Sequence, residues 1–328
     1  MHVMIVGATG MMGRKLSQKL SREPKIAQFG IDAITLVDIV QPMTYQEFDG
    51  KQQSIAADLS APETAHLLIS LRPDIIFHLA AIVSGEAEAD FEKGYQINLD
   101  GTRQLFESIR QAHNQDGYYP RVIFTSSIAV YGTPLPDYIE DEYLCAPLTS
   151  YGTQKAICEL LLTDYSRRGF MDGIAIRLPT ICIRPGAPNR AASGFFSNIL
   201  REPLVGQEAV LPVNEDVRHW FASPRAGVNF LIHAASIDLT SLGWRRALTM
   251  PGISATVGEE LSALGRIAGK KALRLIKREP DKAIARIVAG WPCNFKTTRA
   301  LSLGFHADHS IDEIIRVHIE DELGGQLS

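Results

Sequence analysis

A phenol and an amine stand four residues apart in Tyr151-Gly152-Thr153-Gln154-Lys155. At a helix start, that spacing puts both side chains on one face. A phenol titrates near pH ~10 and is a poor base at neutrality. A neighbouring ammonium, joined by the positive nicotinamide of an oxidised cofactor, favours phenolate. Such a pair can exchange the proton of an alcohol while hydride passes to or from NAD. In isolation a Tyr/Lys pair is an ordinary solvated helix face, so its position matters. It follows Thr125-Ser126-Ser127-Ile128-Ala129-Val130-Tyr131-Gly132. A hydroxyl from Ser126 or Ser127, at the carboxyl end of a parallel strand, would face the crevice where ligands bind and bond the reacting oxygen. The alternative is two serines closing a strand end.

A second constellation opens the chain. Gly7-Ala8-Thr9-Gly10-Met11-Met12-Gly13 follows a strand-like run and begins a helix. One glycine permits the tight turn, one lets the backbone approach a pyrophosphate, and one lets helix and strand pack closely. The helix N-terminus offers N–H groups and a partial positive charge to the phosphates. With a strand before it and a helix after it, the pattern predicts dinucleotide binding. Asp38 ends the next strand. Its carboxylate can bond a ribose diol and would repel a 2′-phosphate. No Arg or Lys occurs between Ile39 and Glu47 to offset that repulsion, so NAD is favoured over NADP. Asp58-Leu59 either approaches the adenine or caps a helix at Ala61.

These residues need a scaffold, and the first half supplies one. Strands are expected at Val3–Val6, Ile34–Asp38, Asp74–His78, Arg121–Ser126 and Gly173–Arg177. Helices are expected at Gly13–Leu20, Ala61–Leu71, Asn98–Ala112 and Thr153–Arg167. This alternation predicts βαβ units with right-handed crossovers, hence an α/β, Rossmann-type doubly wound parallel sheet. After Leu178, prolines at 179, 185, 188, 203 and 212 loosen the pattern. Thr256 with Glu259 and Ser310 with Glu313 read as capping boxes, and Pro280 suits a first helical turn. We expect an NAD-binding domain over 1–178, taking in segments within 214–250, and a smaller mixed α/β substrate-binding portion over 179–328.

Composition narrows the class without naming the chemistry. The 328 residues are 45% hydrophobic and 21% charged, which excludes global disorder and allows about two domains. The four cysteines, Cys145, Cys158, Cys182 and Cys293, have no disulfide-scaffold or metal spacing, so reduced thiols and no metal are expected. A net charge of −4 argues against a nucleic-acid partner. The first residues lack a signal peptide's basic region, and no apolar run approaches the ~20 residues that cross a bilayer. A cytoplasmic protein without a membrane partner is expected.

Taken together, Gly7 to Gly13, His78-Leu79-Ala80-Ala81, Asn98-Leu99-Asp100-Gly101-Thr102, Ser126 to Gly132 and Tyr151 to Lys155 resemble the extended short-chain dehydrogenase/reductase family, over nearly the whole chain. The resemblance implies Tyr151 as acid/base, Lys155 as its activator and Ser127 as the active-site hydroxyl. It places Leu79, Ala80, Ala81 and Asn98 along the cofactor. It also implies a homodimer through the helices at Asn98–Ala112 and Tyr151–Arg167. Many members act on nucleotide sugars and carry an Asn where Thr180 stands here. They also carry an Asp after the aromatic run, whereas Arg218-His219-Trp220-Phe221-Ala222-Ser223-Pro224 keeps only the arginine.

Ile82 to Phe91, Arg177 to Thr180 and Ser193 to Ser197 are similar to a narrower branch, the D-erythronate dehydrogenases. That likeness implies NAD-dependent oxidation of the C2 hydroxyl of a small sugar acid to a 2-oxo acid. A carboxylate needs a partner, and an arginine fork binds it with two parallel hydrogen bonds. Arg184, Arg190 and Arg218 are the candidates, Arg218 favoured by its motif position. Ser84 either binds a substrate hydroxyl or caps the segment after it. Phe195 and Phe196 read as packing. A nucleotide-sugar epimerase is the competing enzyme class. A non-catalytic NAD sensor is the third reading, and Tyr151, Lys155 and Ser127 count against it.

Overall fold

The structure, a computed structural model, describes residues 1–186 and 193–327. Its chain divides into two compact units. The first comprises Met1–Val130, Thr149–Arg177 and Val228–Thr249; the second comprises Tyr131–Leu148, Leu178–Gly227 and Met250–Ser328. The segment Tyr131–Leu148 thus clusters with the second unit, although the sequence reading puts it in the first domain.

The first unit is built on a seven-stranded sheet. Its strands are β1 (His2–Val6), β2 (Ala33–Asp38), β3 (Lys51–Ala56), β4 (Ile75–His78), β5 (Arg121–Ser127), β6 (Asp172–Leu178) and β7 (Ala247–Thr249). They lie in the order 3-2-1-4-5-6-7. Pairing is parallel, with Val3 beside Ile34 on one side and Ile75 on the other. The order reverses between β1 and β4, which opens a crevice at the carboxyl ends of the strands. Inside the sheet, β1, β2, β4 and β5 are largely apolar and buried because helices cover both faces. Met4, Ile76, Val122 and Phe124 pack with Leu105, Phe106, Ile109 and Leu162 from those helices.

Four helices position the motifs: α1 (Met11–Arg22), α2 (Thr64–Ser70), α3 (Gly101–Asp116) and α4 (Ser150–Arg167). Helix α4 begins three residues earlier than Thr153. The Thr149 side chain accepts a hydrogen bond from Gly152 N at 3.0 Å and starts it there. Tyr151 consequently sits in the first turn. Helix α2 is shorter than expected at its start, because Glu63 takes a left-handed φ of 67° after Pro62. Asn98 lies in a π-helical turn, Tyr95–Asp100, that leads into α3. Such turns are frequent at functional sites.

The second unit holds a three-stranded sheet made of Thr180–Ile181, Arg218–Ala222 and Ile253–Thr256. Helices Gly194–Leu204, Val257–Leu273 and Ile311–Glu322 contribute to its core, with Phe196, Leu200, Phe221, Leu264 and Ile314 inside. The capping box at Thr256 and Glu259 forms with both bonds. At Ser310 only half of one forms: the hydroxyl accepts from Glu313 N, while the Glu313 carboxylate accepts from His309 N instead. Asp281 caps the Lys282–Val288 helix, which leaves Pro280 outside its first turn. Among the described residues, no helix is long and apolar enough to cross a membrane.

Candidate active site

The glycine turn is fused to its neighbours. Gly7 N and Ala8 N both donate to Val37 O, at 2.8 and 3.1 Å, while Leu79 N and Ala80 N donate to Val6 O, at 2.8 and 2.9 Å. Gly7 has φ +96°, and a Cβ there would stand 2.6 Å from Ala80 N. A Cβ on Gly13 would fall 2.0 Å from Gly7 O. Those two glycines exist for the turn and for close packing. Gly10 differs: its φ is −64° and its nearest neighbour to a Cβ is Gly7 O at 3.4 Å. The protein could hold a methyl at Gly10, yet none is present. No side chain caps α1 and no acidic residue lies in its first turn, so the amides of Met11, Met12 and Gly13 remain for an anion. This cradle fits a pyrophosphate.

Asp38, at the end of β2, closes the turn. Its two carboxylate oxygens accept from Thr9 N at 2.8 Å and Ile39 N at 2.7 Å, and they retain lone pairs for a diol. Asp58 forms a local turn, accepting from Ser60 N and Ser60 Oγ, and does not cap a helix at Ala61. Leu59 is buried in the core beside α3. Leu79, Ala80 and Ala81 follow the carboxyl end of β4. Asn98 is buried, with its side chain clamped on Ile82: Oδ1 accepts from Ile82 N at 2.9 Å and Nδ2 donates to Ile82 O at 3.2 Å. Ser84 begins the helix Ser84–Ala89, but Val83 and not Ser84 occupies its N-cap.

Tyr151 and Lys155 share a face of α4. The Lys155 ammonium is buried, donates to Thr125 O at 2.8 Å, and lies 5.7 Å from the centroid of the Tyr151 ring. The Phe124 ring stands 4.6 Å away. Burial pulls Lys155 down to about 8, with Cys158 and Glu159 opposing the shift. It is therefore a cation at neutral pH in a medium of low dielectric, where its field on the phenol is poorly screened.

The two serines divide. Alternation along a strand points them to opposite faces. The Ser126 hydroxyl is buried and donates to Glu159 Oε1 at 2.5 Å. Ser127 is half-buried, and among the described residues its Oγ accepts from Ala129 N alone, at 3.1 Å, which leaves its proton for a ligand. Arg177 Nε and Nη2 hold the same Glu159 carboxylate at 2.9 and 2.6 Å. Neither Glu159 nor Arg177 stood out in the sequence as site residues. The available signal was Glu159 four residues after Lys155 and eight after Tyr151, on the same helix face.

In the second unit, Arg218 is exposed, donates to Ser254 O at 3.1 Å and faces Glu259 at 3.4 Å. Arg184 is half-buried, with Nε donating to Ile181 O at 3.2 Å and Nη2 to Ser193 Oγ at 3.3 Å. Arg190 lies outside the described residues. Phe195 and Phe196 are buried, their rings 4.0 Å apart. Thr180 Oγ1 pairs with His219 Nε2 at 2.6 Å.

The profile of the NAD dependent epimerase/dehydratase family matches residues 3–222. The chain belongs to this family. Its cofactor is NAD. D-erythronate dehydrogenase from Cupriavidus necator is 43% identical over 325 residues, 98% of both chains. The protein of the same name from Haemophilus influenzae is 42% identical over 98% of this chain and all of its own. Both relatives are dehydrogenases, and the chain is accordingly an NAD-dependent dehydrogenase. A solved structure from Agrobacterium tumefaciens, described as a nucleoside-diphosphate-sugar epimerase, is 64% identical with TM-score 0.98, covering 100% of this chain and 96% of that one.

Proposed function

We propose that this protein oxidises the C2 hydroxyl of a small sugar acid, D-erythronate, to the 2-oxo acid. NAD, when bound, accepts the hydride. Tyr151 takes the hydroxyl proton at its phenolic oxygen. Lys155 favours the phenolate by placing a buried cation beside the ring. Ser127 donates its proton to the reacting oxygen and steadies it. The amides at the start of α1 bind the pyrophosphate, Asp38 the adenosine ribose, and Asn98 holds the segment after β4 along the cofactor. Arg184, Arg190 and Arg218 are the guanidinium candidates for the substrate carboxylate; Arg218 spends part of its fork on Ser254. The active species is a homodimer formed through α3 and α4.

The observation that carries the chemistry is the buried Lys155 ammonium beside Tyr151, one strand residue away from the serines through Thr125 O. The choice of acid rests on the two full-length relatives named for D-erythronate. Adding D-erythronate and NAD should release NADH. Tyr151→Phe should lower turnover by about 10²–10⁴-fold while NAD still binds. Full activity in that variant refutes the role of Tyr151.

A second reading, nucleotide-sugar epimerisation, is favoured by the description of the Agrobacterium tumefaciens structure. It predicts that a UDP-sugar raises the melting temperature with no net NADH. Thr180, engaged with His219 where such enzymes carry Asn, weighs against it.

A further inference from the structure

The Glu159–Arg177 pair is buried, with side-chain exposures of 6% and 11%. Burying two charges is costly, and an apolar pair of similar volume often gives equal or greater stability. Stability alone is therefore a weak reason for its presence. Its geometry offers a better one. Helix α4 grips the end of β5 at two successive residues: Lys155 Nζ holds Thr125 O at 2.8 Å, and Glu159 Oε1 holds Ser126 Oγ at 2.5 Å. Arg177, at the end of β6, fixes the Glu159 carboxylate from the other side with two donors. The planar guanidinium fork leaves that carboxylate one orientation. The next residue of β5 is Ser127, and one turn before Lys155 on α4 is Tyr151.

We propose that Glu159 and Arg177 are positioning residues that set the Ser127 hydroxyl against the Tyr151 phenol, using Ser126 as the handle on the strand. The inference rests on the roles assigned above to Tyr151 and Ser127. It gives the tandem serines distinct work: one hydroxyl meets the substrate, the other locks the strand that carries it.

The test separates positioning from folding. Arg177→Met and Glu159→Gln each leave a buried partner unsatisfied and should lower both melting temperature and kcat. The double variant Glu159→Leu/Arg177→Met replaces the pair by apolar groups. Its melting temperature should return to or above the wild-type value, while kcat stays down at least about tenfold, since misplacement of reacting groups by ~1 Å can cost ~100-fold. NAD affinity should be unchanged in it. Ser126→Ala, which removes only the handle, should lower kcat with little loss of stability. The assay uses D-erythronate, or another small sugar acid that the wild type proves to oxidise. Oxidation of another acid alone would refute D-erythronate as substrate and leave this comparison intact. A double variant with wild-type kcat, or one whose NAD affinity falls in step with kcat, overturns the positioning role.

Discussion

Two glycines in one turn should respond to the same methyl group in different ways. At Gly10 the backbone has φ −64°, which alanine adopts freely, and the nearest atom to the new Cβ is 3.4 Å away. Gly10→Ala should thus leave the cofactor-free protein folded and raise its stability by about 0.4–1 kcal/mol through the unfolded chain. The methyl, however, enters the cradle over the first turn of α1. Displacing a phosphate from one charge-assisted donor costs about 1.5–3 kcal/mol, or roughly 10- to 150-fold in affinity. At an NAD concentration of 100 times the wild-type Kd, binding stabilises the wild type by about 2.7 kcal/mol. A variant that binds about 100-fold more weakly would gain only about 0.4 kcal/mol. Gly13→Ala places its Cβ 2.0 Å from Gly7 O and 2.8 Å from Ala8 Cα, both backbone, and should lose stability and binding together. Melting curves with and without NAD, with Kd from calorimetry, separate these outcomes. A Gly10→Ala protein that melts well below wild type without NAD, or binds NAD undiminished, refutes this account of the turn.

Other consequences follow from burial and exposure. Lys155 is pulled from 10.5 down to about 8, so below pH 8 it is charged in both folded and unfolded states and carries the full cost of its burial, about 3 kcal/mol. Lys155→Met should melt above wild type at pH 7, lose turnover, and see its thermal advantage shrink above pH ~8; calorimetry across pH checks this. Glu260 is fully buried, its carboxyl pushed well above the usual range by desolvation, and its Oε2 lacks a partner among the described residues. The folded state then keeps a proton that the unfolded state releases above pH ~4.5, so stability falls as pH rises, by about 1.4 kcal/mol per pH unit. Glu260→Gln should gain on wild type in melting temperature as pH rises above ~4.5, and a constant gap would contradict this. Leu160 is 73% exposed on α4. Leu160→Glu should convert the proposed dimer to a monomer by light scattering; a monomeric wild type refutes the dimer.

The cofactor half was largely readable because local pattern and global role coincide there. The run Val3–Val6 is apolar since β1 is buried on both faces, and Gly7 and Gly13 sit where the backbone leaves no alternative. Strand β3 escaped notice for the opposite reason. Lys51-Gln52-Gln53 lies at the sheet's edge, half-solvated, and carries no continuous apolar run. Glu159 takes its place through Arg177, 18 residues further along the chain, and no local window joins the two. The clustering of Tyr131–Leu148 with the second unit rests on pairings such as Ile139 with Phe295, which no local window contains.

The seventh strand of the cofactor sheet has a bearing on how the chain can be cut and how it is made. Strand β7 covers the outer edge of β6 and begins 69 residues after β6 ends, from Leu178 to Ala247. A fragment stopped at 178 would expose a long apolar edge with unpaired N–H and C=O groups, a template for aggregation. On the ribosome, the sheet stays open on that side until residues 247–249 emerge, so its completion waits on much of the second unit's synthesis.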